Sequence, residues 1–246
     1  MLRIGVVSDV HGGGVAFDAA LADLRRQEVD RIVALGDMVQ GGSEPARVAE
    51  RLRELEGPVV MGNSDWFVLS GEAPHEVSDA QREVRDWTRA QLGAEGLAMI
   101  ESFTKTLTVD LEAGKTLLCF HGSPRDHDEV LLPETTDDEW DDALGTRRAD
   151  LLAGGHVHLQ WFRSVGDAMF FNPGSIGVTY NRHVEPDEHW FYPIAEYAVV
   201  VSDGPSVRVE MCRIPLDVDE VQRAARASGR PYAEVEAAAY VPPARG

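Results

Sequence analysis

The first third of the chain alternates short β-rich segments with helical segments, and this order restricts the fold more than any other feature. Residues 14–26 and 43–55 carry apolar side chains at helical spacing, whereas "RIGVVSD", "RIVALGD" and "GPVVMGN" are short runs typical of strands. A β-α-β-α-β order predicts a largely parallel sheet covered by helices. In such sheets, ligands bind beside the carboxyl ends of the strands.

The rest of the chain continues this α/β pattern. Ser43 and Ser78 are candidate N-caps of two helices, and Pro45 fits a first helical turn. The other predicted elements are a hairpin over residues 105–123, an acidic loop over 125–149, strands within 149–156 and 168–175, a hairpin over 197–214 and a helix over 217–229. Because the sequence shows neither a repeat nor a long linker, we predict one domain over residues 1–246.

Composition narrows the range of partners. The net charge of −19 opposes binding to nucleic acid or to anionic lipid, both of which require basic surface. No apolar run approaches the ~18 residues that a membrane span needs. The start "MLRIGVVSD" reads as a strand and lacks the basic region of a signal peptide, so we expect a cytoplasmic protein. The sequence leaves the oligomeric state open.

Oxygen and imidazole donors follow the predicted strands, most of them beside a glycine. They are Asp9, His11, Asp37, Asn63, His121, His156 and His158. Asp9 and His11, like His156 and His158, are two residues apart and so point to one side of an extended segment. Imidazoles with carboxylates suit borderline divalent ions such as Mn, Zn, Fe, Co or Ni. The seven donors are more than one tetrahedral ion needs, and they fit two ions if one carboxylate bridges them.

In this order the motifs D-x-H, GD, GN-x-D, H-G and GH-x-H resemble the calcineurin-like metallophosphoesterase superfamily. The resemblance runs from Asp9 to Ser175, and "HGSPRD" and "NPGS" are similar to small bacterial and archaeal phosphoesterases related to diadenosine tetraphosphatases and Ser/Thr protein phosphatases. It implies a four-layer α/β/β/α sandwich of two mixed β-sheets flanked by helices. The implied ligands are Asp9, His11 and His158 for the first metal, Asn63, His121 and His156 for the second, and Asp37 as the bridge.

The same resemblance implies a dinuclear, metal-dependent phosphoesterase that acts on small phosphorylated molecules: a phosphodiester, an activated phosphomonoester or nucleotide, or a phosphopeptide. A hydroxide bridging two divalent ions would attack phosphorus in line. Two further residues are candidates for the catalytic set alongside Asp37 and Asn63. Asp65 either orients a ligand histidine or caps the next turn. Arg125 either contacts a phosphate oxygen or is a solvated loop arginine.

Position 64 departs from the family pattern. Many members have a histidine after the "GN" pair, and it is taken to protonate the leaving group or contact the phosphate. Here the residue is Ser64, whose hydroxyl is no proton donor near neutral pH. Substrates with a good leaving group should suffer least, and His183 is the residue to test as a substitute acid.

Two other functions fit parts of the pattern. A non-catalytic metal-binding scaffold of the same fold is one, with Ser64 as a step towards lost catalysis. A site that no longer catalyses a reaction would be expected to lose some metal ligands, however, and all seven ligand positions are filled here. A nuclease is the other, and the acidic net charge opposes it.

Overall fold

Two mixed β-sheets form the centre of the computed structural model, which describes residues 1–73, 76–180 and 190–240. The strands are β1 (Leu2–Val7), β2 (Arg31–Ala34), β3 (Leu107–Asp110), β4 (Thr116–Cys119), β5 (Leu151–Ala153), β6 (Gln160–Val165), β7 (Ala168–Pro173), β8 (Ile194–Asp203) and β9 (Ser206–Pro215). One sheet has the order β2-β1-β8-β9 and the other β3-β4-β5-β7-β6. Strand β1 is parallel to β2, and β5 is parallel to β4 and β7, while the remaining neighbours are antiparallel.

Helices cover the outer faces of the two sheets. They are α1 (Gly14–Arg26), α2 (Pro45–Leu55), α3 (Asn63–Ser70), α4 (Asp79–Glu101), α5 (Asp137–Leu144), α6 (Val218–Ala227) and α7 (Ala233–Ala239). Among the described residues, no helix combines the length and the apolar character needed to cross a membrane.

Period-two alternation in the strands builds the layers. Ile4 and Val6 of β1 pack in a cluster with Leu117 and Phe171 of the other sheet, so the two sheets face each other. Val7 belongs to a second cluster, formed with helices α1 and α2. A third cluster packs α5 on the outer face of the second sheet, around residues such as Trp140, Trp161 and Phe170. The predicted four-layer α/β/β/α sandwich is therefore confirmed.

Several local predictions hold. Helix α1 spans residues 14–26 as predicted, and Ser78 caps α4 in a capping box with Gln81. Strands β3 and β4 form the first predicted hairpin, and β8 and β9 form the second.

The prediction of a third strand over "GPVVMGN" is wrong. Val59 and Val60 make isolated bridges to Ala34 and Thr104 instead, because Pro58 has no N–H for a ladder and α3 begins at Asn63. Residues 63–65 form the first turn of that helix.

Two further predictions need correction, and two elements were missed. The loop predicted over 125–149 contains α5, whose N-terminus is closed by a capping box between Thr136 and Glu139. The N-cap of α2 is Glu44 rather than Ser43, and Pro45 is the first helical residue. Strand β6 and helix α7 were not predicted at all.

Candidate metal centre

The loops that follow four strands meet at one end of the sandwich. Asp9 follows β1 and Asp37 follows β2 in the first sheet, while His121 follows β4 and His156 follows β5 in the second. Backbone bonds join neighbouring loops: the His11 N–H donates to the carbonyl of Asp37 at 2.8 Å, and the Gly155 N–H donates to that of His121 at 2.8 Å. Strand ends that are far apart in the sequence are thus placed at one site.

The backbone at this site is strained. Nine described residues other than glycine have a positive φ, and five of these are predicted ligands, namely Asp9 (53°), His11 (46°), Asp37 (56°), His156 (69°) and His158 (50°). Left-handed backbone costs on the order of 1–3 kcal/mol per residue and persists where the surrounding structure enforces it. A concentration of such residues among polar side chains indicates a functional site.

Asp9, His11 and His158 form the first group of donor atoms. The two Nε2 atoms of His11 and His158 lie 3.1 Å apart, and His158 Nε2 lies 3.2 Å from Asp9 Oδ1. Ligand bonds of about 2.1 Å place neighbouring donor atoms about 3.0–3.4 Å apart around one ion. Asp9 Oδ2 accepts the His156 N–H at 3.2 Å, but Oδ1 is buried and accepts no hydrogen bond from the described residues, so this oxygen lacks a partner that a cation would supply.

Asn63, His121 and His156 form the second group. The amide oxygen Oδ1 of Asn63 lies 3.1 Å from His121 Nε2 and 3.0 Å from His156 Nδ1. Three donor atoms from α3 and from the loops after β4 and β5 therefore converge at the spacing expected around one ion.

One oxygen atom connects the two groups. Asp37 Oδ2 lies 3.6 Å from His11 Nε2 in the first group and 3.4 Å from His121 Nε2 in the second. The Ser64 hydroxyl donates to this oxygen at 2.8 Å, and the Ser64 backbone N–H donates to Asp37 Oδ1 at 2.8 Å. Ser64 thus fixes both oxygens of the shared carboxylate, a contact that the sequence did not indicate.

Backbone carbonyls orient three of the histidines. The Nδ1 atoms of His11, His121 and His158 lie 2.8, 2.7 and 2.7 Å from the carbonyl oxygens of Gln40, Leu35 and Val178. A proton on each Nδ1 completes these bonds and leaves Nε2 as the free lone pair that faces the centre. His156 presents Nδ1 instead.

Electrostatics keep Asp37, His156 and His11 in ligand form and oppose that form at His121. Burial raises the pKa of Asp37, but His121 and His11 outweigh this effect and hold the pKa well below its usual value. Burial, together with His121, lowers the pKa of His156 to about 4, and burial also lowers the pKa of His11. Burial lowers the pKa of His121 too, but Asp37 outweighs it and raises the pKa, so a metal ion must displace a proton from this imidazole.

These observations fit divalent metal. The donors are imidazole nitrogens and carboxylate and amide oxygens at ligand spacing, and a carboxylate oxygen is left without a partner. The structure brings together all seven predicted metal ligands, and their distances follow the two groups and the shared Asp37 that the family resemblance implied.

Asp65 makes neither of the two contacts that the sequence interpretations proposed for it. Its Oδ1 accepts the backbone N–H groups of Met38, at 2.9 Å, and Val39, at 3.3 Å. It therefore contacts neither a ligand histidine nor the N–H groups of its own helix, and instead holds the loop behind Asp37. Burial and the Asp37 charge raise the pKa of Asp65 to about 7.

Arg125 is not brought to the centre. Its Nε donates to Glu129 Oε2 at 2.9 Å, and its Nη1 pairs with the Asp142 carboxylate. The guanidinium is thus neutralised by two acids in a partly exposed loop, and its predicted contact with phosphate is not supported. His183 lies outside the described residues.

Comparison with known proteins identifies similar chains. Residues 2–187 match the calcineurin-like phosphoesterase superfamily domain. An uncharacterised protein of Methanocaldococcus jannaschii is 28% identical over 176 residues, which cover 70% of this chain and 69% of the relative.

Two solved structures are similar over nearly their whole length. A metallophosphoesterase from Sphaerobacter thermophilus is 27% identical with a TM-score of 0.70, covering 97% of this chain and 98% of its own. A hypothetical protein from Pyrococcus horikoshii OT3 is 18% identical with a TM-score of 0.77, covering 94% and 95%, and shares the fold.

Proposed function

The chain belongs to the calcineurin-like phosphoesterase superfamily, and from that premise we propose that it is a phosphoesterase that uses two divalent ions. The observation that carries the proposal is the position of Asp37, whose Oδ2 faces His11 on one side and His121 on the other. One carboxylate oxygen shared by two groups of donors is the arrangement that a two-ion centre requires.

Each residue then has a defined part. Asp9, His11 and His158 would hold one ion, and Asn63, His121 and His156 the other, with Asp37 common to both. When bound, the ions lower the pKa of a water and neutralise charge on the phosphoryl oxygens. Hydrolysis forms one P–O bond to the water oxygen and breaks the P–O bond to the departing alcohol.

The residues around the ligands limit which esters react well. The Ser64 hydroxyl donates a hydrogen bond to Asp37, and the serine has no imidazole that could act as a general acid. The departing alcohol therefore has to leave with little protonation by this position, which favours phosphodiesters and activated monoesters with stable leaving groups. The proposed substrate is a small molecule, since the net charge of −19 repels nucleic acid polymers.

A substitution pair tests the proposal. With bis(p-nitrophenyl) phosphate and added Mn²⁺, we expect Asp37→Ala and Asn63→Ala each to lower kcat/KM by on the order of 100-fold or more, because a ligand outweighs the ~10–100-fold of its supporting contacts. Asp167→Ala removes an exposed carboxylate between β6 and β7 and serves as the control. Circular dichroism checks that each variant is folded.

Other outcomes would identify another function. Full metal-dependent turnover in either ligand variant would contradict the two-ion assignment. A purified protein that contains no metal and stays inert with Mn, Zn, Co, Ni or Mg would identify a scaffold. Activity confined to polynucleotides would identify a nuclease.

A further inference from the structure

A cavity of about 620 Å³ opens beside the first group of ligands, with His11 and Gln40 in its wall. Its volume lies within the ~300–1,000 Å³ of typical small-molecule sites. The rest of the wall comes from α4, from residues 177–180 and from the C-terminal residues 230–240. Because His11 belongs to both, the cavity adjoins the metal centre, and a group attached to a phosphate at the centre can extend into it.

Aromatic rings line the cavity in a continuous series that begins at a ligand. The Tyr180 ring stacks on His158 with centroids 4.8 Å apart and planes inclined by 14°. Phe191 follows at 5.8 Å from Tyr180, and Tyr240 at 5.4 Å from Phe191. Backbone bridges also join residues 180 and 191, and residues 191 and 240. Flat aromatic surfaces of this kind bind other flat rings by stacking.

The C-terminal part of the wall is held against the metal loop. Arg230 Nε donates to the carbonyl of Gly41 at 2.6 Å, and a Cβ at Gly41 would lie 3.6 Å from His11 Nδ1, so Gly41 is next to the imidazole. On the other side of the opening, the Tyr232 hydroxyl donates to Glu83 Oε2 of α4 at 2.8 Å. The cavity is therefore fixed to the centre, and its position relative to His11 is defined.

The rim of the cavity exposes apolar surface. Tyr232 is 48% exposed and Val235 is 69% exposed, and both line the opening. Exposed apolar side chains grouped beside a polar site are typical of a ligand-binding surface.

The described part of the wall offers little charge to a second phosphate. Within the described lining, the one arginine is Arg230, and its Nε faces Glu236 Oε2 at 3.4 Å and donates to Gly41. A polyphosphate chain would find no unpaired cation among these residues, whereas an uncharged ring would find apolar and aromatic contacts.

We propose that this cavity binds a flat aromatic group of nucleoside type on the substrate, whose phosphate lies at the metal centre. This inference rests on the proposed function and names the class of substrate for the same site. The chain would thus act on phosphodiesters of a nucleoside in preference to those of small alcohols.

Two diesters with the same leaving group test the inference. Methyl p-nitrophenyl phosphate and thymidine 5′-(p-nitrophenyl phosphate) share the leaving group and differ in the methyl or thymidine group on the other ester oxygen. Base stacking on aromatic side chains contributes about 1–3 kcal/mol, so we expect kcat/KM to be about 10–100-fold higher for the thymidine ester. Tyr232→Ala should lower this ratio about fivefold, and Phe162→Ala, which truncates a 67% exposed aromatic residue on β6 away from the cavity, should leave it unchanged.

Binding without turnover gives a second measurement. Saturation-transfer NMR with adenosine should show contact with the adenine protons in the wild type and a weaker signal in Tyr232→Ala. Equal kcat/KM for the two diesters, or a ratio and an NMR signal that Tyr232→Ala leaves unchanged, would overturn the inference while the phosphoesterase proposal stands. Failure of the wild type to hydrolyse either diester with any metal would instead overturn the proposed function.

Discussion

The metal centre and the adjoining cavity are built in opposite ways. The centre is made of polar residues, most of them at strand ends with strained backbone, and backbone carbonyls orient three of its histidines. The surface of the cavity is mostly apolar and comes from a helix, a loop and the C-terminal residues, with Arg230 bonded to the Gly41 carbonyl beside the centre. Under the proposed function, the sheets would determine the chemistry, and the segments around them would determine which molecule is acted upon. Three substitutions test this division.

Gly62→Ala should have the largest effect, and it should impair the metal centre without changing the cavity. A Cβ at Gly62 would overlap Asp37 Oδ1 and the Asp37 backbone nitrogen, although the backbone of Gly62 is an extended conformation open to alanine. A displacement of the shared carboxylate by about 1 Å costs on the order of 100-fold in rate. We expect kcat/KM for the methyl and thymidine diesters to fall together by about this factor.

The adenosine NMR signal provides the internal control for Gly62→Ala. The signal should persist, because the cavity wall does not include residue 62. Loss of both activity and adenosine contact would show that the two regions depend on each other, and full activity would show that the close approach to Asp37 is not needed.

Ser64→Ala should have an intermediate effect. It removes the hydroxyl that donates to Asp37 Oδ2, and a hydrogen bond to a charged group contributes about 1.5–3 kcal/mol. We expect kcat/KM to fall at least tenfold for both diesters, and Mn²⁺ titration to show weaker binding. Ser64→Thr keeps a hydroxyl and should recover most of both. Equal behaviour of the alanine and threonine variants would show that position 64 does not act through Asp37.

The metal centre could be predicted from the sequence because its residues are local to strand ends. Asp9 and His11 follow an apolar run directly, as His156 and His158 do, and strand ends of two parallel pairs must meet. The serine at position 64 stood out only as a departure from a family pattern. Its contact with Asp37 spans 27 residues and depends on α3, a helix whose apolar pattern is too short to recognise.

The cavity could not be predicted because, like the contact between Ser64 and Asp37, it is formed by residues that are far apart in the chain. Its residues lie in separate elements, and one of them, α7, has only seven residues. Tyr180, Phe191 and Tyr240 lie 11 and 49 residues apart in the chain and meet through isolated bridges. No local periodicity marks such contacts, because packing between distant segments creates them.

Glu236→Gln should have the smallest effect, and it tests the cavity wall through stability. Burial raises the pKa of Glu236 to about 7, with Glu44 acting in the same direction and with Arg230 and Ser43 opposing. Between the unfolded value of about 4.3 and pH 7, the folded protein keeps a proton that the unfolded chain has lost, so this contribution to stability falls as pH rises. A glutamine at position 236 does not titrate and so removes this dependence of stability on pH.

The free energy of unfolding of the variant, relative to wild type, should therefore rise by about 1–2 kcal/mol from pH 4.5 to 8 in urea titrations. Glu95→Gln, which removes an exposed carboxylate on α4, is the control for the substitution itself. A difference for Glu236→Gln that does not change with pH would mean that the C-terminal wall is open to solvent, and the closed wall that distinguishes the cavity from the surrounding surface would be contradicted.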